Sequence, residues 1–168
     1  MPTPVSHAAV GFAIAAWTQQ RPPTKRVCLV AAACAVLPDI DYFGWPLAHR
    51  SLTHSLAFAI AAAAAATFIF FHGPQWSRQR GRIALALGLA ALSHGFLDAL
   101  SSYSYGLAFF APFSQQRFRF PWTPLGSPTG SLAGQLVQEV LVVFLPAVLL
   151  AWLAFWVRGR ASPQATAV

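Results

Sequence analysis

The chain has 168 residues, 57 % of them hydrophobic and 9 % charged, against roughly 45–50 % and about 25 % in a soluble globular domain. That excess of apolar surface excludes an ordinary water-soluble domain and points to the bilayer as solvent, and the length suits one domain over residues 1–168. The net charge is +7, but the cations fall in short groups between apolar segments rather than along a stripe or basic helix, which argues against nucleic acid as a partner.

In chain order, the first apolar segment is Val5–Thr18, opening MPTPVSHAAVGFAIAAW. It has no positive n-region beyond the terminal amine and carries His7, so it reads as a retained helix rather than a signal peptide. Pro22 and Pro23 separate it from a second segment, Thr24–Leu37. Cys28 and Cys34 on that segment would point about 120° apart on a helix, and they read as small buried hydrophobes. Both segments are about 14 residues, or about 21 Å, long. They fall short of the roughly 20 residues that cross hydrocarbon, so they must thin the bilayer or shelter among other helices.

Pro38 ends the second segment inside LPDID, which supplies Asp39 and Asp41. HRSLTHS (49–55) then brings His49, Arg50 and His54 to the lip of the third segment, Ser55–Phe71, with Ser51 or Thr53 as candidate N-caps. The alanine run at 59–67 favours helix and close helix approach. Gly73-Pro74 ends it, and His72 reads as an interfacial residue. The fourth segment, Ile83–Leu100, carries SHGFLD near its end. His94 and Asp98 there are four apart on one helix face, a spacing that suits two ligands of one ion. A connection of roughly 30 residues follows, Ser101–Ser131, broken at Pro112, Pro121, Pro124 and Pro128; loops of that length are usually functional. The fifth segment, Leu132–Val157, holds Glu139 about two turns in. The expected fold is therefore an all-α, multi-pass bundle of about five membrane helices.

If the five segments cross alternately, one face receives Arg21, Lys25, Arg26, Arg78, Arg80, Arg82, Arg158 and Arg160, and the other only Arg50, Arg117 and Arg119. The positive-inside rule puts the eight in the cytoplasm and the N-terminus outside. The outer face then collects His7, Asp39, Asp41, His49, His54, His94 and Asp98, every aspartate in the chain. Ionisable residues converging in membrane segments mark function. Imidazole with carboxylate suits a divalent ion, zinc foremost, with manganese or iron as alternatives, while the lack of cysteine ligands argues against a structural zinc cage.

The motifs LPDID, HRSLTHS, LSHGFLDAL and PFSQQRFRFPWTPL, in this order, resemble the YdjM-like family of bacterial inner-membrane proteins, described as metal-dependent hydrolases and some of them LexA-regulated. The resemblance runs from about Ser6 to Glu139. It implies a multi-pass inner-membrane protein with His7, Asp39, Asp41, His49, His54, His94 and Asp98 as metal ligands, in a site that the charge asymmetry puts on the periplasmic side. On that reading Glu139 is the candidate for acid–base work. Arg50, Arg117 and Arg119 are candidates to hold a lipid phosphate or other phosphoester, with RFRF and Trp122 at headgroup depth. The alternative is a non-catalytic membrane protein whose ion is structural or is being handled. The sequence names neither the substrate nor the oligomeric state.

Overall fold

The computed structural model describes residues 2–19, 21–43, 50–102, 106–126 and 131–160. Five helices account for most of them: α1 (Pro4–Thr18), α2 (Lys25–Val36), α3 (Leu56–Phe70), α4 (Arg80–Ala99) and α5 (Leu132–Arg158). No strand occurs among the described residues, only single bridges at Ser101–Leu125 and Leu107–Phe118. Helix α4 is central and packs on α1, α2 and α3, while α5 leans on α1.

Many large apolar side chains point outward, and the core, apart from residues such as Val27, Phe71, Ile83 and Leu87, is built mostly of alanine. Ile60, Phe68 and Ile69 on α3 and Leu141, Leu149 and Trp152 on α5 are exposed, whereas the core between helices is lined by Ala15, Ala16, Ala31, Ala35, Ala63, Ala90 and Ala154. In water this arrangement would waste apolar burial; in lipid, helices associate through close backbone approach at small residues. Gly11 is the tightest such approach, since a Cβ there would lie 2.6 Å from the Ala35 Cβ and 2.8 Å from the Ala31 carbonyl oxygen.

Of the five, α4 and α5 are long and apolar enough to cross a membrane, and α3 is apolar but 15 residues long. The third segment is shorter than expected because Ser55 itself is the N-cap, accepting from the Phe58 amide at 3.1 Å. Ser51 and Thr53, the expected candidates, do not cap it. The fifth is one rod in three parts: α-helix to Glu139, a π turn over Val140–Phe144, and α-helix again from Leu145. Pro146 has no amide to donate and its ring crowds the preceding turn, which the wider π turn relieves. The basic end is tied together by its cations. Arg26 donates to the Phe70 carbonyl, Arg80 to those of Phe71 and His72, and Arg158 to that of Gln19, so the arginines satisfy carbonyls left open at helix ends.

Candidate metal centre

At the opposite end of the bundle, four separate elements deliver histidine and aspartate to one point. His7 stands in the first turn of α1. Asp39 and Asp41 lie on a 3-10 turn, Leu37–Phe43, that Pro38 imposes directly after α2. His54 ends a second 3-10 turn, Leu52–His54, in front of α3, and His94 and Asp98 occupy the last turns of α4. His7, His94 and Asp98 are fully buried, and His54 and Asp41 nearly so. His49 lies outside the described residues.

The hydrogen bonds behind the two central histidines fix which nitrogen each presents. His94 Nδ1 sits 2.8 Å from the Ala35 carbonyl oxygen, which can only accept, so Nδ1 carries the proton and Nε2 a lone pair. Thr53 Oγ1 donates to Asp41 Oδ2 at 2.6 Å and stands 3.0 Å from His54 Nδ1. With its proton committed to Asp41, the hydroxyl can only accept from the imidazole, and His54 likewise turns its Nε2 lone pair inward. The two Nε2 atoms are 3.2 Å apart. Two lone pairs facing each other at that distance repel, unless a cation lies between them.

Two carboxylate oxygens complete the cluster. Asp39 Oδ1 is 3.4 Å from His94 Nε2 and 4.0 Å from His54 Nε2, and Asp98 Oδ2 is 3.8 and 3.6 Å from the same atoms. Donors of a tetrahedral zinc with bonds of about 2.0–2.1 Å lie about 3.3 Å from one another. Here the ligand atoms of Asp39, His54 and His94 lie within 4.8 Å of one another, and so do those of His7, His94 and Asp98. Asp39 Oδ1 and both oxygens of Asp98 are buried and make no hydrogen bond. Those oxygens keep lone pairs that a cation set among them would take up. Arg50 Nε approaches Asp98 Oδ2 at 3.7 Å. Among the described residues of the cluster, three aspartates against one arginine leave two negative charges when the histidines are neutral; one divalent ion cancels them. At His54 burial favours the neutral form, holding its pKa below the ordinary value against the opposing pull of Asp98 and Asp41.

The other expected residues fall around this quartet. His7 stacks on His94, with ring centroids 3.8 Å apart, and directs Nε2 at Asp98 Oδ1 over 3.6 Å. Neither of its nitrogens has a hydrogen-bond partner. Asp41 is behind His54 rather than beside its inner nitrogen, with Oδ2 3.5 Å from Nδ1. Arg50 adopts φ 62°, a left-handed conformation uncommon for a non-glycine residue. Its amide donates to Asp41 at 3.2 Å while its guanidinium reaches Asp98. Glu139 is buried on α5 and contacts the start of α1, its Oε1 accepting from the Thr3 amide and hydroxyl, each at 2.6 Å. Arg117 donates to the Gly106 carbonyl, and Arg119 lines a groove on the outer side of α4. His72 is exposed at the far end of α3, bonded locally to the Ile69 carbonyl. Two members of the site, the Ala35 carbonyl and the Thr53 hydroxyl, escape sequence reasoning. A main-chain oxygen has no residue signature, and Thr53 in front of an apolar run reads as a helix cap.

The family model for the YdjM inner membrane protein matches residues 1–162 of the chain. The chain belongs to the YdjM inner membrane protein family. Inner membrane protein YbcI of Escherichia coli (strain K12) is 30 % identical to it over 175 residues, spanning 94 % of this chain and 99 % of that protein. No solved structure matches this chain. The YdjM match and the YbcI likeness both give the inner membrane as the setting, which accounts for the outward-facing leucines, phenylalanines and tryptophans of α3 and α5. For a YdjM protein the resemblance carried by LPDID, HRSLTHS and LSHGFLDAL thus extends beyond Ser6–Glu139 to nearly the whole chain.

Proposed function

We propose that this chain is a metal-dependent hydrolase of the inner membrane, acting on a phosphoester or lipid-type substrate at the periplasmic face of that membrane. The observation that carries the reading is the pair of Nε2 atoms of His54 and His94, 3.2 Å apart with both Nδ1 atoms committed elsewhere. On this reading the ion, zinc before manganese or iron, is held by His54, His94, Asp39 and Asp98. A divalent ion bound there supplies Lewis-acid polarisation of a phosphoryl or acyl oxygen and brings the pKa of water toward about 7.

The chain's own residues divide the remaining work. Asp41 and Thr53 orient His54, and the Ala35 carbonyl orients His94, as outer partners of metal-bound imidazoles commonly do. Asp39 has 13 % of its side chain exposed, whereas His54, His94 and Asp98 are sealed. It therefore marks the side from which water and substrate arrive. His7, with Nε2 toward Asp98, is suited to hold Asp98 in position or to return a proton to the leaving group. Glu139 enters as the buried acid tethering α1, and with it His7; its second oxygen, buried and without a hydrogen bond, keeps it a candidate for acid–base work. Arg50 offsets the charge of Asp98 and faces the same centre.

The second reading, an ion that holds helices together, is favoured by one observation: four protein donors can fill a tetrahedral shell without an open position. Elemental analysis of the protein purified in detergent, followed by a hydrolysis screen on phospholipids and small phosphoesters, separates the two. We expect one divalent ion per chain and metal-dependent hydrolysis of at least one substrate class. One ion per chain with no hydrolysis, and a large drop in thermal stability on chelation, establishes the structural reading. No bound ion after loading overturns both.

A further inference from the structure

Beside the metal centre, on the lipid-facing side of α4, lies an apolar groove of about 460 Å³ lined by Leu56, Phe96, Ala99, Phe109, Phe118 and Phe120, with Arg119 on its wall. We propose that this groove is a binding site for one acyl chain of a bilayer glycerophospholipid, with Arg119 holding that lipid's phosphate. The assignment rests on the hydrolase reading only in making the bound lipid a substrate.

Four observations support it. The groove is built by the chain rather than left over between helices: the Leu56 amide donates to the Phe109 carbonyl at 2.9 Å, and Leu107 and Phe118 exchange paired bonds at 2.9 Å. These bonds fold the long connection back over α3 and α4. Its walls are aromatic and mutually packed, Phe96 against Phe109 at 5.8 Å and against Phe120 at 6.1 Å between centroids. It adjoins the ligands, since Ala99 follows Asp98 and Leu56 stands two residues after His54. Gly95, between His94 and Phe96, lets the groove wall close onto α4, because a Cβ there would come within 3.1 Å of the Phe109 ring and 3.3 Å of the His54 carbonyl oxygen.

The last consideration is charge. A larger apolar groove of about 650 Å³, between α1, α4 and α5, has no charged residue in its lining. It offers any bilayer chain the same apolar contact without reading a headgroup. The groove beside the metal centre pairs an apolar slot with a guanidinium, which binds phosphate through paired donors. The exposed Phe113 and Trp122 on the same connection are suited to headgroup depth.

The test uses the full chain in phosphatidylcholine nanodiscs holding a trace of photoreactive lipid with a diazirine on one acyl chain. The lipid is either phosphatidylglycerol or diacylglycerol, which lacks the phosphate. On the segment 106–120 the phosphatidylglycerol probe should label about tenfold more than the diacylglycerol probe, the ratio for one charge-assisted contact. The α1/α5 groove should label equally with both and acts as an internal control. Arg119→Gln should bring the ratio on 106–120 to about one, and Leu56→Trp should suppress labelling there by filling the slot. Both variants should retain the parent's metal content, which reports that they fold. Equal labelling by both probes in the parent, or variants with parental metal content and unchanged labelling, overturns the proposal. Labelling is read on chelator-treated protein as well. A protein that labels as expected but hydrolyses nothing refutes the hydrolase and spares the groove; phosphoester hydrolysis without selective labelling does the reverse.

Discussion

An imidazole bonded through Nδ1 to a carbonyl can act only through Nε2, and that constraint is why His94 is proposed as a ligand. His94→Ala and His54→Ala should therefore each cut metal affinity by more than the about 10–100-fold typical of losing an outer partner. His72→Ala, at the far end of α3, should leave the metal bound. Metal content of the three variants beside the parent decides it, and loss in His72→Ala with retention in His94→Ala would refute the site assignment. Thr53→Val keeps shape but removes the hydroxyl joining Asp41 to His54. It should weaken the metal about 10–100-fold in a competitive chelator titration, and unchanged affinity would remove Thr53 from the site. Glu139→Gln keeps an acceptor for Thr3, so it should retain the metal while hydrolysis falls. Equal loss of both would make Glu139 a ligand, and no change in either would leave it a purely structural tether. At this scale the sequence is informative where chemistry concentrates in rare residues. The acids and histidines are few, so their common end of the helices stands out. What it does not disclose is the division between inner and outer roles for Asp39 and Asp41, which turns on which nitrogen of His54 each one faces.

Helix length in this chain does not follow shelter: the central α4 runs 20 residues, while α3, with Ile60, Phe68 and Ile69 exposed, runs 15. The apolar runs and their prolines are enough to place all five, because Pro22, Pro38 and Gly73-Pro74 stop helices whatever the tertiary context. Less is legible in the connections. The 3-10 turn that carries His54 is braced by the Thr53 hydroxyl, which joins Asp41 to His54, and the π turn ahead of Pro146 sits where α5 packs against α1. The α1–α2 contact makes the tightest demand on sequence, and it aligns two ligand-bearing segments: His7 stands four residues before Gly11, and Asp39 four residues after Ala35. Gly11→Leu should force the pair apart and destabilise the fold by about 1–3 kcal/mol. It should also lower metal affinity, since His7 and Asp39 separate with their helices. Thermal unfolding in detergent and metal titration on the same sample test the two effects. Gly11→Ala should show both at smaller size, and parental stability and affinity in Gly11→Leu would refute the close contact.

Over the whole molecule, charge and chemistry are segregated to opposite ends. The basic end uses its arginines to close helix termini and to stack on aromatic rings, Arg26 over Phe71 and Trp76 and Arg158 over Trp17. The other end gathers the three aspartates with His7, His54 and His94. Such a molecule has a direction in the membrane, and the positive-inside rule assigns the arginine end to the cytoplasm. Two of the helices are long and apolar enough to cross; for the shorter α1, α2 and α3 to cross as well, they would need the company of α4 and α5 and local thinning of the bilayer. The N-terminus and metal centre are then expected on the periplasmic side. Reporter fusions in the α1–α2 joint, in the α3–α4 joint and at the C-terminus should all report cytoplasm. A periplasmic signal at all three inverts the molecule but keeps the ligands on one face, because inversion moves them together. A periplasmic signal in the α3–α4 joint alone has a stronger consequence. It would put the start of α4 on the same side as its ligand-bearing end, and a single crossing by the 20-residue α4 could not then be the arrangement in the membrane.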